Sequence, residues 1–99
     1  MPDMSLSNLT ADEEAAALRF YGRRCANCHG KDMTGGMGKS LIDGVWMHGS
    51  SNRDIKRNIR QGINYAGMPE FGSVLDDAEL NQMVALIRQT EEKASGEIR

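Results

Sequence analysis

The six residues Cys25 to Gly30, CANCHG, hold both cysteines of the chain and one of its two histidines. Two thiols three positions apart, with an imidazole directly after the second, admit few chemistries. A redox disulfide uses C-x-x-C at the strand-to-helix junction of a βαβ unit. No stretch of this chain alternates apolar and polar residues as a strand would. A structural zinc site needs four ligands; Cys25, Cys28, His29 and His48 supply that number, at a spacing that fits no familiar finger. Free thiols or a surface disulfide are the third option. The fourth is covalent haem attachment, in which both thiols bond to vinyl groups and the adjacent histidine brings a ring nitrogen to the iron. The flanking chain favours this last reading, because a helix ends just upstream and glycine-rich stretches follow.

Ninety-nine residues make one domain. With 39% hydrophobic and only 5% aromatic residues, side chains alone build a modest core, and a large apolar cofactor would enlarge it. Three helices are expected. The first opens with a T-x-x-E capping box at Thr10 and Glu13 and runs to about Gly22, with Ala17, Leu18 and Tyr21 on one face. The second opens at Ser51 and Asp54 and closes at Gly62, with Ile55 and Ile59 inside. The third starts with the box of Asp76 and Glu79 and the hydrophobic staple of Leu75 and Leu80. Its apolar stripe is Leu80, Met83, Val84 and Ile87, and its end should fray after about Glu92. Residues 1–9 read as a flexible extension, 10–92 as the domain and 93–99 as a frayed tail. Between the helices lie two glycine-rich irregular stretches, Lys31 to Ser50 and Ile63 to Ser73. Loops this long in so small a domain are unusual unless they wrap something.

Over nearly its full length the chain resembles a class I c-type cytochrome. The CANCH motif carries the resemblance, together with Ala17 and Tyr21, which occupy the family's small and aromatic positions eight and four residues before the first cysteine. The resemblance implies an all-α cytochrome c fold, three to five helices around one covalently bound haem c, with the first and last helices crossing nearly at right angles. It also implies a carbonyl partner for the haem histidine, donated in the family by a proline in a GPxL segment. The equivalent stretch here is GKSL, Gly38 to Leu41, so Lys39 keeps the carbonyl and gives up the ring's rigidity.

A second axial ligand decides between electron transfer and ligand binding at iron. Of seven methionines, Met33 and Met37 follow His29 too closely to reach the opposite face, Met83 lies on a core stripe, and Met1 and Met4 are terminal. Met68 stands between Gly67 and Pro69 in YAGMPEFG, where glycine permits close backbone approach and proline stiffens the exit. Its GMP sequence resembles the family's axial-methionine loop. His48 and Met47 are the alternatives. Trp46 is read either as a propionate donor or as a core residue, and Tyr65 as a propionate partner or a cover for the ring edge.

The expected function is single-electron shuttling, with no nucleophile, acid–base pair or phosphate loop to suggest an enzyme. A formal charge of -2 argues against nucleic-acid binding, and no apolar run approaches the about 20 residues of a membrane span. Haem attachment in this family is completed outside the cytoplasm in bacteria, so a periplasmic monomer without its signal peptide is expected. The implied partners are a periplasmic dehydrogenase, of the quinoprotein or another type, and a terminal oxidase or another cytochrome. Arg53, Lys56, Arg57 and Arg60 form a cationic stripe on the middle helix, either a solvated face or a docking surface. The rival function is a haem protein that binds gases or reacts with peroxide, with His48 as the one distal acid–base candidate.

Overall fold

A computed structural model describes residues 3–97. Helices α1 (Ala11–Arg24), α2 (Ala26–His29), α3 (Asn52–Gln61) and α4 (Asp77–Glu97) are joined by irregular chain, with a short 3-10 turn at Asn64–Ala66. Among the described residues the only β pairing is an isolated antiparallel bridge between Ile63 and Met68.

Each long helix starts where its side chains satisfy the orphan amides of the first turn. Glu13 N–H donates to Thr10 Oγ1 at 3.1 Å while Thr10 N–H donates to Glu13 Oε1 at 2.9 Å. Ser51 and Asp54 repeat the exchange at α3, and Asp76 and Glu79 do so at α4. Leu75 and Leu80, the expected staple, are both buried. Helix α3 closes at Gly62 as the sequence reading has it, whereas the other two ends differ. Helix α1 continues through Gly22 to Arg24, since the next amide, that of Cys25, still finds the Tyr21 carbonyl at 2.8 Å. Helix α4 continues past Glu92 to Glu97.

Helix α4 is the central element, packing against α1 and α3. Its Leu80, Met83, Val84 and Ile87 are buried as the stripe predicts, and Leu86, off that stripe, is buried as well. A helix contacted by two neighbours needs this wider apolar arc. Ala17 and Tyr21 come from α1, Ile55 and Ile59 from α3, and Phe71 and Leu75 from the approach to α4. Phe20 meets Phe71 edge-on at 5.7 Å between centroids. Each fully buried aliphatic side chain contributes about 1.5–3 kcal/mol relative to exposure. The long loop after α2 adds one residue to this core, Met33.

The segment before α1, read from sequence as an extension, is held against the domain. Asp3 accepts from the Asn52 and Arg53 amides at 2.6 and 3.2 Å, and the Met4 carbonyl accepts from Asn52 Nδ2. Leu6 and Leu9 pack on the core. The cationic stripe of α3 is partly neutralised from within: Lys56 and Arg60 converge on Asp77 at 2.6 and 3.1 Å, and Arg57 pairs with Asp54 at 3.1 Å.

Candidate haem site

Cys25 is both the last cap of α1 and the first of α2, so the two helices share one residue at the start of the motif. In this single turn the His29 N–H donates to the Cys25 carbonyl at 2.9 Å, and Gly30 leaves the turn with φ +86. Tyr21 Oη donates to the Gly30 carbonyl at 2.5 Å, tying α1 to the exit of the motif. The chain then folds back on itself: the Gly35 N–H donates to the His29 carbonyl and the Gly38 N–H to the Cys28 carbonyl, both at 2.7 Å. A Cβ at Gly38 would lie 3.1 Å from Cys28 Cβ, so the return is close enough that a side chain there would make its neighbours shift.

The return brings the Lys39 carbonyl 2.7 Å from His29 Nδ1. A carbonyl can only accept, so this contact fixes the tautomer with the proton on Nδ1 and leaves Nε2 with its lone pair. This is the carbonyl partner that the resemblance implies. In place of a proline ring, Lys39 brings a side chain whose Nζ donates to both carboxylate oxygens of Asp43 at 3.1 Å. Asp43 was not singled out in the sequence; its only signal is the four-residue spacing from Lys39, which outside a helix has no set meaning.

Cys25 and Cys28 are free thiols, both half-buried. Burial, with Cys28 nearby, pushes the Cys25 thiol up to about 11. Dithiol redox motifs need the opposite shift, toward a thiolate near neutral pH. Among the described residues no three His, Cys, Asp or Glu side chains converge as a metal cluster, which leaves the zinc reading without its ligand set.

Met68 sits on a hairpin of its own. The Ile63 N–H donates to the Met68 carbonyl at 2.9 Å and the Met68 N–H to the Ile63 carbonyl at 3.1 Å. Gly62 backs this hairpin so closely that a Cβ would come within 2.7 Å of the Met68 carbonyl oxygen. Met68 is half-buried against the core. Met33 and Met83 are buried inside it, while Met37 and Met47 are exposed. Met33 also adopts φ +66, the left-handed region that non-glycine residues seldom occupy. Met1 lies outside the described residues.

Trp46 is half-buried against the core with the Arg88 guanidinium carbon 5.5 Å from its ring centroid. Tyr65 is 84% exposed and shares the Met68 hairpin. Its Oη lies 3.2 Å from His48 Nδ1, and the two rings meet edge-on. The His48 carbonyl accepts from Arg57 and Asn58 of α3. His48 thus links the first loop to α3 through its backbone and to the Met68 hairpin through its ring.

The donor set fits a haem: an imidazole with Nε2 available, two free thiols beside it, and a thioether on a braced hairpin. Met37, Val45, Met47 and Tyr65, on the two irregular stretches, offer apolar surface that the protein core does not use.

This arrangement is that of a c-type cytochrome, and solved structures share its fold. Cytochrome CL of Methylophaga aminisulfidivorans MPT superposes with a TM-score of 0.72 over 83% of this chain and 55% of that one, at 20% identity. The c-type cytochrome NirC superposes with a TM-score of 0.66 over 86% of this chain and 95% of that one, at 21% identity. The chain belongs to the family described as cytochrome c oxidase, cbb3-type, subunit III, whose pattern matches residues 12–87. The CcoP subunit of the cbb3-type oxidase of Rhodobacter capsulatus is 29% identical over 109 positions, covering 98% of this chain and 36% of that protein. A nitrite reductase of Stutzerimonas stutzeri is 33% identical over 93 positions, covering 83% of this chain and 17% of that protein. The chain therefore spans about a third or less of these relatives. It is an electron-transfer cytochrome domain, and its family implies haem c. No helix among the described residues is long and apolar enough to cross a membrane.

Proposed function

We propose that the protein carries single electrons through one haem c, bound covalently by Cys25 and Cys28 and ligated by His29 and Met68. Haem, when bound, supplies one reversible electron site. The chain's residues do the rest. Each thiol would hold the haem by adding across a vinyl double bond, sulfur to one carbon and hydrogen to the other, which needs no oxidant. His29 presents Nε2, its tautomer set by the Lys39 carbonyl. Met68 offers a soft thioether, which favours ferrous iron and raises the potential relative to a second imidazole. Trp46 and Tyr65 would hold the haem propionates, through an indole N–H and a phenol O–H.

The observation that carries this reading is the 2.7 Å contact between His29 Nδ1 and the Lys39 carbonyl, directly after the two thiols. His48, the one distal acid–base candidate, is engaged by Tyr65, which weighs against the peroxidatic alternative. The donor is a periplasmic dehydrogenase, of the quinoprotein or another type, and the acceptor a terminal oxidase or another cytochrome; the oxidase is supported by relatives named as cbb3-type oxidase subunits. The protein acts in the periplasm as a monomer.

Protein matured with haem should show a Soret band, the weak far-red sulfur-to-iron band when oxidised, and resistance to carbon monoxide when reduced at neutral pH. Met68→Ala should abolish the far-red band and open the ferrous form to carbon monoxide. A Met68→Ala protein with the wild-type spectrum would show that another residue is the ligand.

A further inference from the structure

We infer that Asp43 is a positioning residue for the His29 imidazole, acting through the backbone of Lys39. The inference rests on the reading of His29 as an iron ligand. The Lys39 carbonyl that accepts from His29 belongs to a residue tied down on every side. Before it, the Gly38 N–H is anchored on the Cys28 carbonyl; after it, the Leu41 N–H donates to the Met33 carbonyl at 2.9 Å. Its own side chain reaches both oxygens of Asp43, and Asp43 Oδ1 accepts in addition from the Val45 N–H at 2.9 Å. Lys39, Asp43 and Val45 close the loop into a buckle.

A proline at position 39 would hold the peptide by fixing φ in its ring; lysine has no such constraint, and the buckle replaces it from outside. The Lys39 and Asp43 side chains are 30% and 45% exposed, and pairs this open add little to overall stability. Their consequence is local. A well-placed carbonyl strengthens the bond from Nδ1–H and makes the imidazole a stronger donor to the metal, which favours oxidised iron. Loosening the carbonyl should therefore raise the reduction potential.

Direct charge effects make the opposite prediction at one of the two positions. Removing the Asp43 charge raises the potential through space as well, but removing the Lys39 charge lowers it. The experiment measures reduction potentials of haem-loaded wild type, Asp43→Ala, Lys39→Met, Lys39→Pro and the Lys39→Pro/Asp43→Ala double variant. Among the described hydrogen bonds the Lys39 N–H is not a donor, so proline removes none.

Asp43→Ala is expected to shift the ferric-to-ferrous preference roughly threefold toward ferrous, about 28 mV at 59 mV per tenfold for one electron. Lys39→Met should shift it in the same direction despite the lost positive charge. In the Lys39→Pro background Asp43→Ala should leave only the through-space charge shift, smaller than the shift in the wild-type background. An equal Asp43→Ala shift in both backgrounds, no shift at all, or a lowered potential in Lys39→Met would overturn the inference while leaving the ligation intact. Should Lys39→Pro fail to fold, the sign of the Lys39→Met shift decides alone. A wild-type protein without the far-red sulfur-to-iron band but with a low-spin imidazole spectrum overturns only the Met68 assignment; loss of imidazole ligation overturns this inference together with the reading beneath it.

Discussion

Tyr21 shows how much of one residue's work a spacing pattern can reveal. The resemblance puts it, four residues before Cys25, at the family's aromatic position, and it is buried in the core. Its hydroxyl is another matter: the bond to the Gly30 carbonyl closes a nine-residue span that includes the whole motif, and no local pattern announces it. Tyr21→Phe keeps the ring and leaves that carbonyl without its donor, which should cost about 1 kcal/mol. Burial, followed by the neighbouring Cys25 and Asp32 groups, raises the Tyr21 phenol from the ordinary 10.0 to about 12. The folded state therefore holds this proton more tightly than the unfolded chain does. The resulting stabilisation is complete below pH 10 and is lost as the pH climbs toward 12. Chemical denaturation at pH 9 and at pH 12 should show wild type losing more stability over that interval than Tyr21→Phe. Equal losses would mean that another group governs the alkaline limb.

At the scale of the helices, all three starts were readable, but of the ends only that of α3 at Gly62 was. A capping box is a local exchange over three residues, so Thr10 with Glu13, Ser51 with Asp54 and Asp76 with Glu79 could be found by spacing and are all formed. The start of α3 has a further part that spacing cannot show, since Asp3 reaches the Asn52 and Arg53 amides across 49 and 50 positions. Ser51 serves the third amide of that turn and Asp3 the first two, so the N-terminus of α3 is satisfied by two separate stretches of chain. Ser51→Ala should lower unfolding free energy by about 1 kcal/mol at any pH in the neutral range. Asp3→Ala should lower the melting temperature in a pH-dependent way. The amides of Asn52 and Arg53 hold the Asp3 carboxyl below its ordinary value, so its contribution is present above the usual carboxylate range and disappears as the pH falls through the folded-state value. Melting curves of wild type and Asp3→Ala should therefore converge on acidification; curves that stay apart would assign the effect to packing of the segment.

On the scale of the whole molecule, the division of labour between helices and loops follows from where apolar residues can be buried. Helical stripes legible in the sequence, without the exposed Leu18 and joined by Phe71, Leu75 and Leu86, account for the core around α4, whereas the stretch from Lys31 to Ser50 contributes one fully buried residue, Met33, with Leu41, Ile42 and Trp46 half-buried against that core. That stretch is held instead by backbone returns to Cys28, His29 and Met33 and by the Lys39–Asp43 pair. Its path could not be read from sequence because it depends on such non-local hydrogen bonds and on a methionine at positive φ. Segments with few buried apolar contacts open at low free energy, so the loops should depend on the cofactor far more than α4 does. Replacing both Cys25 and Cys28 by serine removes the sites of covalent attachment while changing no fully buried residue of the helical core. Amide hydrogen exchange of that variant, compared with haem-loaded wild type, should show protection lost first across residues 31–50 and 63–73. The amides of α4 around Val84, whose side chain is fully buried, should remain the slowest to exchange in both proteins. Uniform loss of protection would instead mean that helices and haem fold as a single cooperative unit, with no helical subdomain surviving without the attached ring.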